Sequence, residues 1–235
     1  MIELRPFSSL GGADHGWLKA RHHFSFASYH DPRRVHWGAL RVWNDDEIAP
    51  GAGFDPHPHR DMEIITYVRE GAITHRDSMG NEGRTEAGDV QIMSAGTGVI
   101  HSEYNLETVP TRIFQIWIIP DLRGARPNWG TKRFPKENRD GAFEVLASGR
   151  AADAGSGALP INADAAVMAA ALKPGQSAAL ALAPGRVAYL VPARGRITVN
   201  GIAAGARDGV AVRDEERLTV TATEDAEVVL VEAAA

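Results

Sequence analysis

The sequence predicts an all-β fold. Short runs rich in Ile, Val, Thr and Tyr recur through the chain, Gly and Pro turns separate them, and no stretch sustains helical periodicity. Such spacing of short strands indicates a β-sandwich or barrel.

Taken in order, Arg21-His22-His23-Phe24-Ser25-Phe26 alternates as a strand would, with Phe24 and Phe26 on one face. Tyr29-His30-Asp31-Pro32 reads as a turn, because the residue before proline is driven out of helical space. Residues 37–43 form the next strand, ended by Asn44-Asp45-Asp46, and Pro50-Gly51 turns the chain. Strands are then expected at 62–68, 72–76, 90–93, 99–103 and 111–119. Gly71, a polar turn at 78–83, Gly88-Asp89, Gly96, Gly98 and Pro120 punctuate them. Residues 121–142, with Pro127, Pro135 and a charge cluster, read as a connection between domains 1–135 and 136–235. Beyond it the composition shifts to Ala and Val. Residues 165–172 have helix-forming propensity, but the runs at 186–191, 196–199, 217–221 and 227–231 argue for more β. An offset of 124 residues superposes Pro50-Gly51 on Pro174-Gly175 and Gly71 on Gly195, which suggests a duplicated unit.

Composition excludes several function classes. The 235 residues carry a net charge of −5, so there is no basic footprint for nucleic acid. The densest basic segment, residues 132–139, is interrupted by Pro135 and Glu137 and reads as a solvated connector. No cysteine is present, which removes disulfides, thiolate metal sites and a Cys nucleophile. No secretory h-region and no apolar run of membrane-spanning length are visible, so the expectation is a cytoplasmic protein without membrane contact. Gly96-Thr97-Gly98 lacks the third glycine of a dinucleotide fingerprint, since position 101 is His.

All nine histidines lie at or before position 101. Two short runs stand out: His57-Pro58-His59 and His101-Ser102-Glu103. On a strand, residues i and i+2 share a face, with Cα atoms about 6.6 Å apart. Two such strands side by side bring three imidazoles and one carboxylate together. That donor set suits a divalent first-row ion: Fe, Mn, Co, Ni, Cu or Zn. The alternative is that His57 and His59 flank a turn at Pro58 while His101 and Glu103 face solvent; two paired runs in an all-β setting favour the metal. His75 has no i+2 partner donor, sits near a polar turn, and is assigned to the surface.

The stretch Gly51-x5-His57-x-His59-x3-Glu63 resembles the first cupin motif, and Gly88-x5-Ser94-x-Gly96 with His101-x3-Asn105 resembles the second. Ser94 stands where that motif has proline, and four residues rather than two separate Gly96 from His101. With His22-His23-Phe24-Ser25-Phe26, His57-Pro58-His59-Arg60-Asp61-Met62-Glu63 and Asp77-Ser78-Met79-Gly80-Asn81, these departures resemble the pirin family over about residues 2–135. The resemblance implies a bicupin, two tandem jelly-roll barrels, with the metal in the N-terminal domain. It implies His57, His59, His101 and Glu103 as ligands to one divalent ion, Fe(2+) first among the candidates, and Glu63 as a wall or supporting residue. It also implies quercetin 2,3-dioxygenase activity: a small aromatic substrate and O2 as partners, and Glu103 as catalytic base. Phe54, Met93, Gln115 and Trp117 are the expected pocket walls, and the chain is expected to be a monomer. Eukaryotic relatives imply an alternative, a metal-bound protein that regulates through protein partners. Another cupin reaction, isomerisation or decarboxylation, is a further alternative.

Overall fold

The computed structural model describes residues 1–134 and 141–235. Residues 135–140, which hold the expected domain boundary and most of the basic segment 132–139, lie outside the described residues. The first half contains β1 (Ile2–Arg5), β2 (Gly11–Asp14), β3 (Leu18–His22), β4 (Leu40–Ile48), β5 (Gly53–His59), β6 (Glu63–Glu70), β7 (Ala72–Asp77), β8 (Glu82–Glu86), β9 (Val90–Ser94), β10 (Val99–Tyr104), β11 (Thr111–Ile118) and β12 (Asn128–Lys132). The second contains β13 (Glu144–Ser148), β14 (Leu159–Pro160), β15 (Ala165–Leu172), β16 (Ser177–Ala181), β17 (Arg186–Arg194), β18 (Ile197–Val199), β19 (Ile202–Ala204), β20 (Gly209–Arg213), β21 (Arg217–Ala222) and β22 (Ala226–Ala234). Among the described residues no helix is long and apolar enough to cross a membrane.

The strands form two jelly-roll units of the same design. The first pairs a seven-stranded sheet, β12-β9-β6-β11-β4-β3-β2, with a four-stranded sheet, β5-β10-β7-β8. The second pairs β1-β20-β17-β22-β15-β13-β14 with β16-β21-β18-β19. The orders β9-β6-β11-β4 and β5-β10-β7-β8 recur strand for strand as β20-β17-β22-β15 and β16-β21-β18-β19. Gly71 and Gly195, superposed by the 124-residue offset, both adopt φ +75° after equivalent strands, a conformation that favours glycine. β1 is exchanged: Ile2 pairs with Val212 and Leu4 with Val210, so the start of the chain edges the second unit's sheet.

The large sheets pack back to back. Along β11, Phe114, Ile116 and Ile118 join the shared core, as do Ile65 and Tyr67 of β6. Val167 and Ala169 of β15, Tyr189 and Val191 of β17, and Val229 and Val231 of β22 meet them from the other unit. The intervening residues face each unit's own interior. Burial on both faces is why these strands read as continuous apolar runs rather than alternating ones. Residues 165–172 are therefore strand despite their helical propensity, since β15 pairs along its length with β22.

Polar groups bind the seam too. Asp45, fully buried, receives both Arg69 and, from the second unit, Arg207. Trp37 Nε1 donates to the Ala188 carbonyl at 3.0 Å. His23 Nδ1 lies 2.8 Å from the Tyr189 hydroxyl.

Some boundaries differ from the sequence reading. Asn44-Asp45-Asp46 continues β4 rather than ending it; two of its side chains find partners there, His22 for Asn44 and two arginines for Asp45. Phe24 and Phe26 lie beyond the end of β3 and do not share a face. Phe24 joins the seam while Phe26 packs edge-on against Trp117 at 5.4 Å. The polar turn at 78–83 is shorter than expected, with β8 starting at Glu82, and the connection contains β12.

Burial, then the nearby charges of Arg5, Arg34, Arg207 and Arg69, hold the His23 imidazole well below its ordinary pKa. The unfolded chain takes up this proton near pH 6.5 and the folded chain does not. His23 therefore contributes no penalty above pH 6.5 and a growing one as pH falls below it. The thermal midpoint is expected to fall from pH 7.5 to pH 5, and His23→Gln to flatten part of that slope.

Candidate metal centre

The two donor runs lie on neighbouring strands. β10 pairs antiparallel with β5, His57 opposite His101 and His59 opposite Val99. The inward residues of β10 are Val99, His101 and Glu103, in strict alternation with Ile100, Ser102 and Tyr104. A bulge between His101 and Glu103 places Glu103 opposite Phe54.

The potential ligand atoms of His57, His59 and His101 lie within 4.8 Å of one another. His57 Nε2 and His101 Nε2 are 3.1 Å apart. His57 Nδ1 donates to the Asp55 carbonyl at 2.7 Å, so its Nε2 carries the lone pair. His59 is braced edge-on against Trp117, 5.0 Å between ring centres. Burial, reinforced by the neighbouring histidines, pushes His59 down to about 4 and His101 down to about 3. Both are neutral at pH 7, the form that binds metal. Three imidazoles with convergent nitrogens fit a divalent first-row ion.

Glu103 stands beside this trio and is fully buried. It falls outside the group of mutually close ligand atoms, and its oxygens accept from Gln91 Nε2 at 2.6 Å, Gln115 Nε2 at 2.8 Å and Thr66 Oγ1 at 3.1 Å. These donors belong to one row across the large sheet. Gln91 is opposite Thr66, Thr66 opposite Gln115, Gln115 opposite Asn44, and Asn44 opposite His22. Asn44 Oδ1 lies 2.9 Å from His22 Nδ1 at the far end. The sequence reading singled out Gln115 but missed Gln91, Thr66, Asn44 and His22. The available signal was a polar residue inside each apolar strand; only the register shows that they align.

A cavity of about 720 Å³ opens beside the histidines, lined by Trp17, Phe26, Phe54, His57, Gln115 and Trp117 among others. Its size is that of a small-molecule site. Phe54, Gln115 and Trp117, the expected pocket walls, line this cavity. Met93 does not line this cavity; it packs in a cluster with Ile64, Ala95 and Val99, against which Trp117 also rests. Glu63 is a wall residue of β6, buried, accepting from Ser94 Oγ at 2.6 Å and from Asn162 of the second unit at 3.3 Å. Desolvation raises its pKa. His75, assigned to the surface, is fully buried. Its ring lies flat on Trp129, 4.9 Å between centres, because β7 is covered by that indole rather than by solvent.

Comparison with known proteins agrees with this architecture. The Pirin family matches residues 3–118, and the family described as Quercetinase C-terminal cupin domain matches residues 145–233. A pirin-like protein of Caulobacter vibrioides is 63% identical over 234 residues, covering 100% of both chains. The chain belongs to the pirin family. Quercetin 2,3-dioxygenase of Escherichia coli K12 is 42% identical to this pirin over 231 residues, with 98% of this chain and 97% of that one covered. The crystal structure of the bacterial pirin YhhW from Escherichia coli in complex with nickel(II) superposes with a TM-score of 0.93 at 40% identity, covering 100% of this chain and 99% of that one.

If the three imidazoles act together, His101→Ala removes one of three converging nitrogens without touching the seam core. Metal content after incubation with Ni²⁺ and desalting is expected to fall at least tenfold, with the far-ultraviolet circular dichroism unchanged.

Proposed function

We propose that this pirin is a metal-dependent dioxygenase that opens the heterocyclic ring of flavonols such as quercetin with O2 and releases CO. The observation that carries this reading is the meeting of three convergent imidazoles and a buried carboxylate beside an aromatic-walled cavity. The relative named quercetin 2,3-dioxygenase, similar over nearly its whole length, supports it.

His57, His59, His101 and Glu103 are the residues that would hold the ion, with Fe(2+) the first candidate and Ni²⁺ supported by the relative crystallised with it. When bound, the ion supplies Lewis-acid polarisation of the substrate's adjacent hydroxyl and carbonyl and the redox chemistry that O2 requires. The protein supplies the rest. Trp17, Phe26, Phe54 and Trp117 offer flat apolar walls to a planar ring system. Gln115 faces the same cavity and hydrogen-bonds Glu103, which links the substrate wall to the carboxylate. Glu103 takes the proton of the substrate 3-hydroxyl; the polar row behind it holds the carboxylate in one orientation as it does so. The apolar walls keep bulk water from the opening ring.

Oxygen uptake with quercetin tests the proposal. Chelator-stripped protein is expected to lose turnover, and Fe²⁺ or Ni²⁺ to restore it. Glu103→Gln is expected to lower kcat about 10²-fold or more. Turnover that survives complete metal removal would sink the metal-dependent reading. Metal-loaded protein that turns over no flavonol would favour the regulatory, non-enzymatic alternative, and uptake-independent conversion under anaerobic conditions another cupin reaction.

A further inference from the structure

His75 stands behind the histidine trio. Its Nδ1 lies 3.4 Å from His101 Nδ1, and its Nε2 lies 3.1 Å from Asp77 Oδ2. Asp77 is ringed by donors: the amides of Met79 and Asn81 reach Oδ1 at 2.9 and 3.0 Å, and Asn81 Nδ2 reaches Oδ2 at 2.9 Å. A carboxylate so placed is an acceptor, so His75 donates to it from Nε2. A neutral imidazole carries one N–H, which leaves His75 Nδ1 as an acceptor toward His101. His101 then donates from Nδ1, and its Nε2 is bare. His57 Nε2 is bare as well, because its Nδ1 proton is held by the Asp55 carbonyl. Two lone pairs thus face each other at 3.1 Å with no proton between them, an arrangement that a cation relieves.

We infer that His75, anchored by Asp77, is a positioning residue that sets the Nδ1–H tautomer of His101 and aims its Nε2 lone pair at the metal position. This rests on the reading of His101 as a ligand. An outer partner of this kind sets the ring orientation and donor strength of a ligating histidine. The ring plane is set in turn by Trp129, stacked on His75 at an interplanar angle of 11°. Trp129 lies there because residue 83 is glycine: a Cβ at Gly83, directly opposite His75 on β8, would come within 2.3 Å of the indole.

Two measurements test it. In the native metal-free protein at pH 7.5, imidazole ¹⁵N shifts are expected to show His101 as the Nδ1–H tautomer; an Nε2–H tautomer overturns the inference with no variant needed. His75→Phe keeps a ring over Trp129 and removes both nitrogens. Competition with a chelator for Ni²⁺ is expected to show binding weakened about 10–100-fold, with His75→Asn, which retains polar atoms, recovering part of the loss. Affinity of His75→Phe within threefold of native, alongside loss of binding in His101→Ala, overturns the inference and leaves the ligand reading standing. Native protein that binds no Ni²⁺ overturns the ligand reading instead. If His75→Phe does not fold, the tautomer in the native protein decides.

Discussion

The candidate centre depends on how β10 is held. It runs between β5 and β7, with His101 opposite His57 on one side and Asp77 on the other. Side chains alternate with a period of two, so a slip of β10 by one residue turns His101 and Glu103 outward and parts them from His57 and His59. The register is pinned at the edge by reciprocal bonds: the Ser78 amide donates to the Ile100 carbonyl at 2.8 Å, and the Ile100 amide to Ser78 Oγ at 3.1 Å. The extra residue on β5 between His57 and Phe54 is a second setting, since it changes which residue of β5 the carboxylate meets. The meeting of three imidazoles is thus a statement about pairing before it is one about chemistry.

The two units show how one topology serves two purposes. Both share the same order of eight strands, yet their interiors differ. The second is filled by Leu190, Ile197, Val199, Val210, Leu218 and Val220, a closed apolar core. The first trades much of that core for the row Gln91, Thr66, Gln115, Asn44 and His22, all buried. Polar groups in such a place are tolerable only when partnered. Part of the lost apolar burial is recovered at the seam, where the first unit's outer faces become interior against the second. The histidine-free half therefore acts as the solid support against which a polar interior can be kept.

The all-β class and most strands were legible because the pattern of apolar runs and Gly or Pro turns is local. The donor runs were legible because i and i+2 on a strand is local too. The paired strand order gave physical substance to the 124-residue offset, which rested on few residues. What escaped was non-local. Asn44-Asp45-Asp46 looks like a strand end until His22 is seen to partner Asn44, and Arg69 and Arg207 to partner Asp45. His75 looks like a surface residue until Trp129, 54 positions later, covers it. Met93 has the alternation of a pocket wall but packs into a cluster with Ile64 and Trp117 instead of lining the cavity. In each case the deciding neighbour is distant in sequence, and periodicity carries no information about it.

The exchange of β1 has a consequence for how the chain is made. Ile2–Arg5 pairs with β20, residues 209–213, roughly 200 residues later. At about 5–20 residues per second of synthesis, that is a wait on the order of ten to forty seconds. Through that interval the first jelly roll emerges with the outer faces of its large sheet, Ile65, Phe114 and Ile116 among them, still uncovered. Exposed apolar strands of this kind are what holdase chaperones bind. Synthesis of the second unit therefore closes the fold twice over, covering the seam and capturing β1, and a nascent chain stalled before β20 carries both liabilities at once.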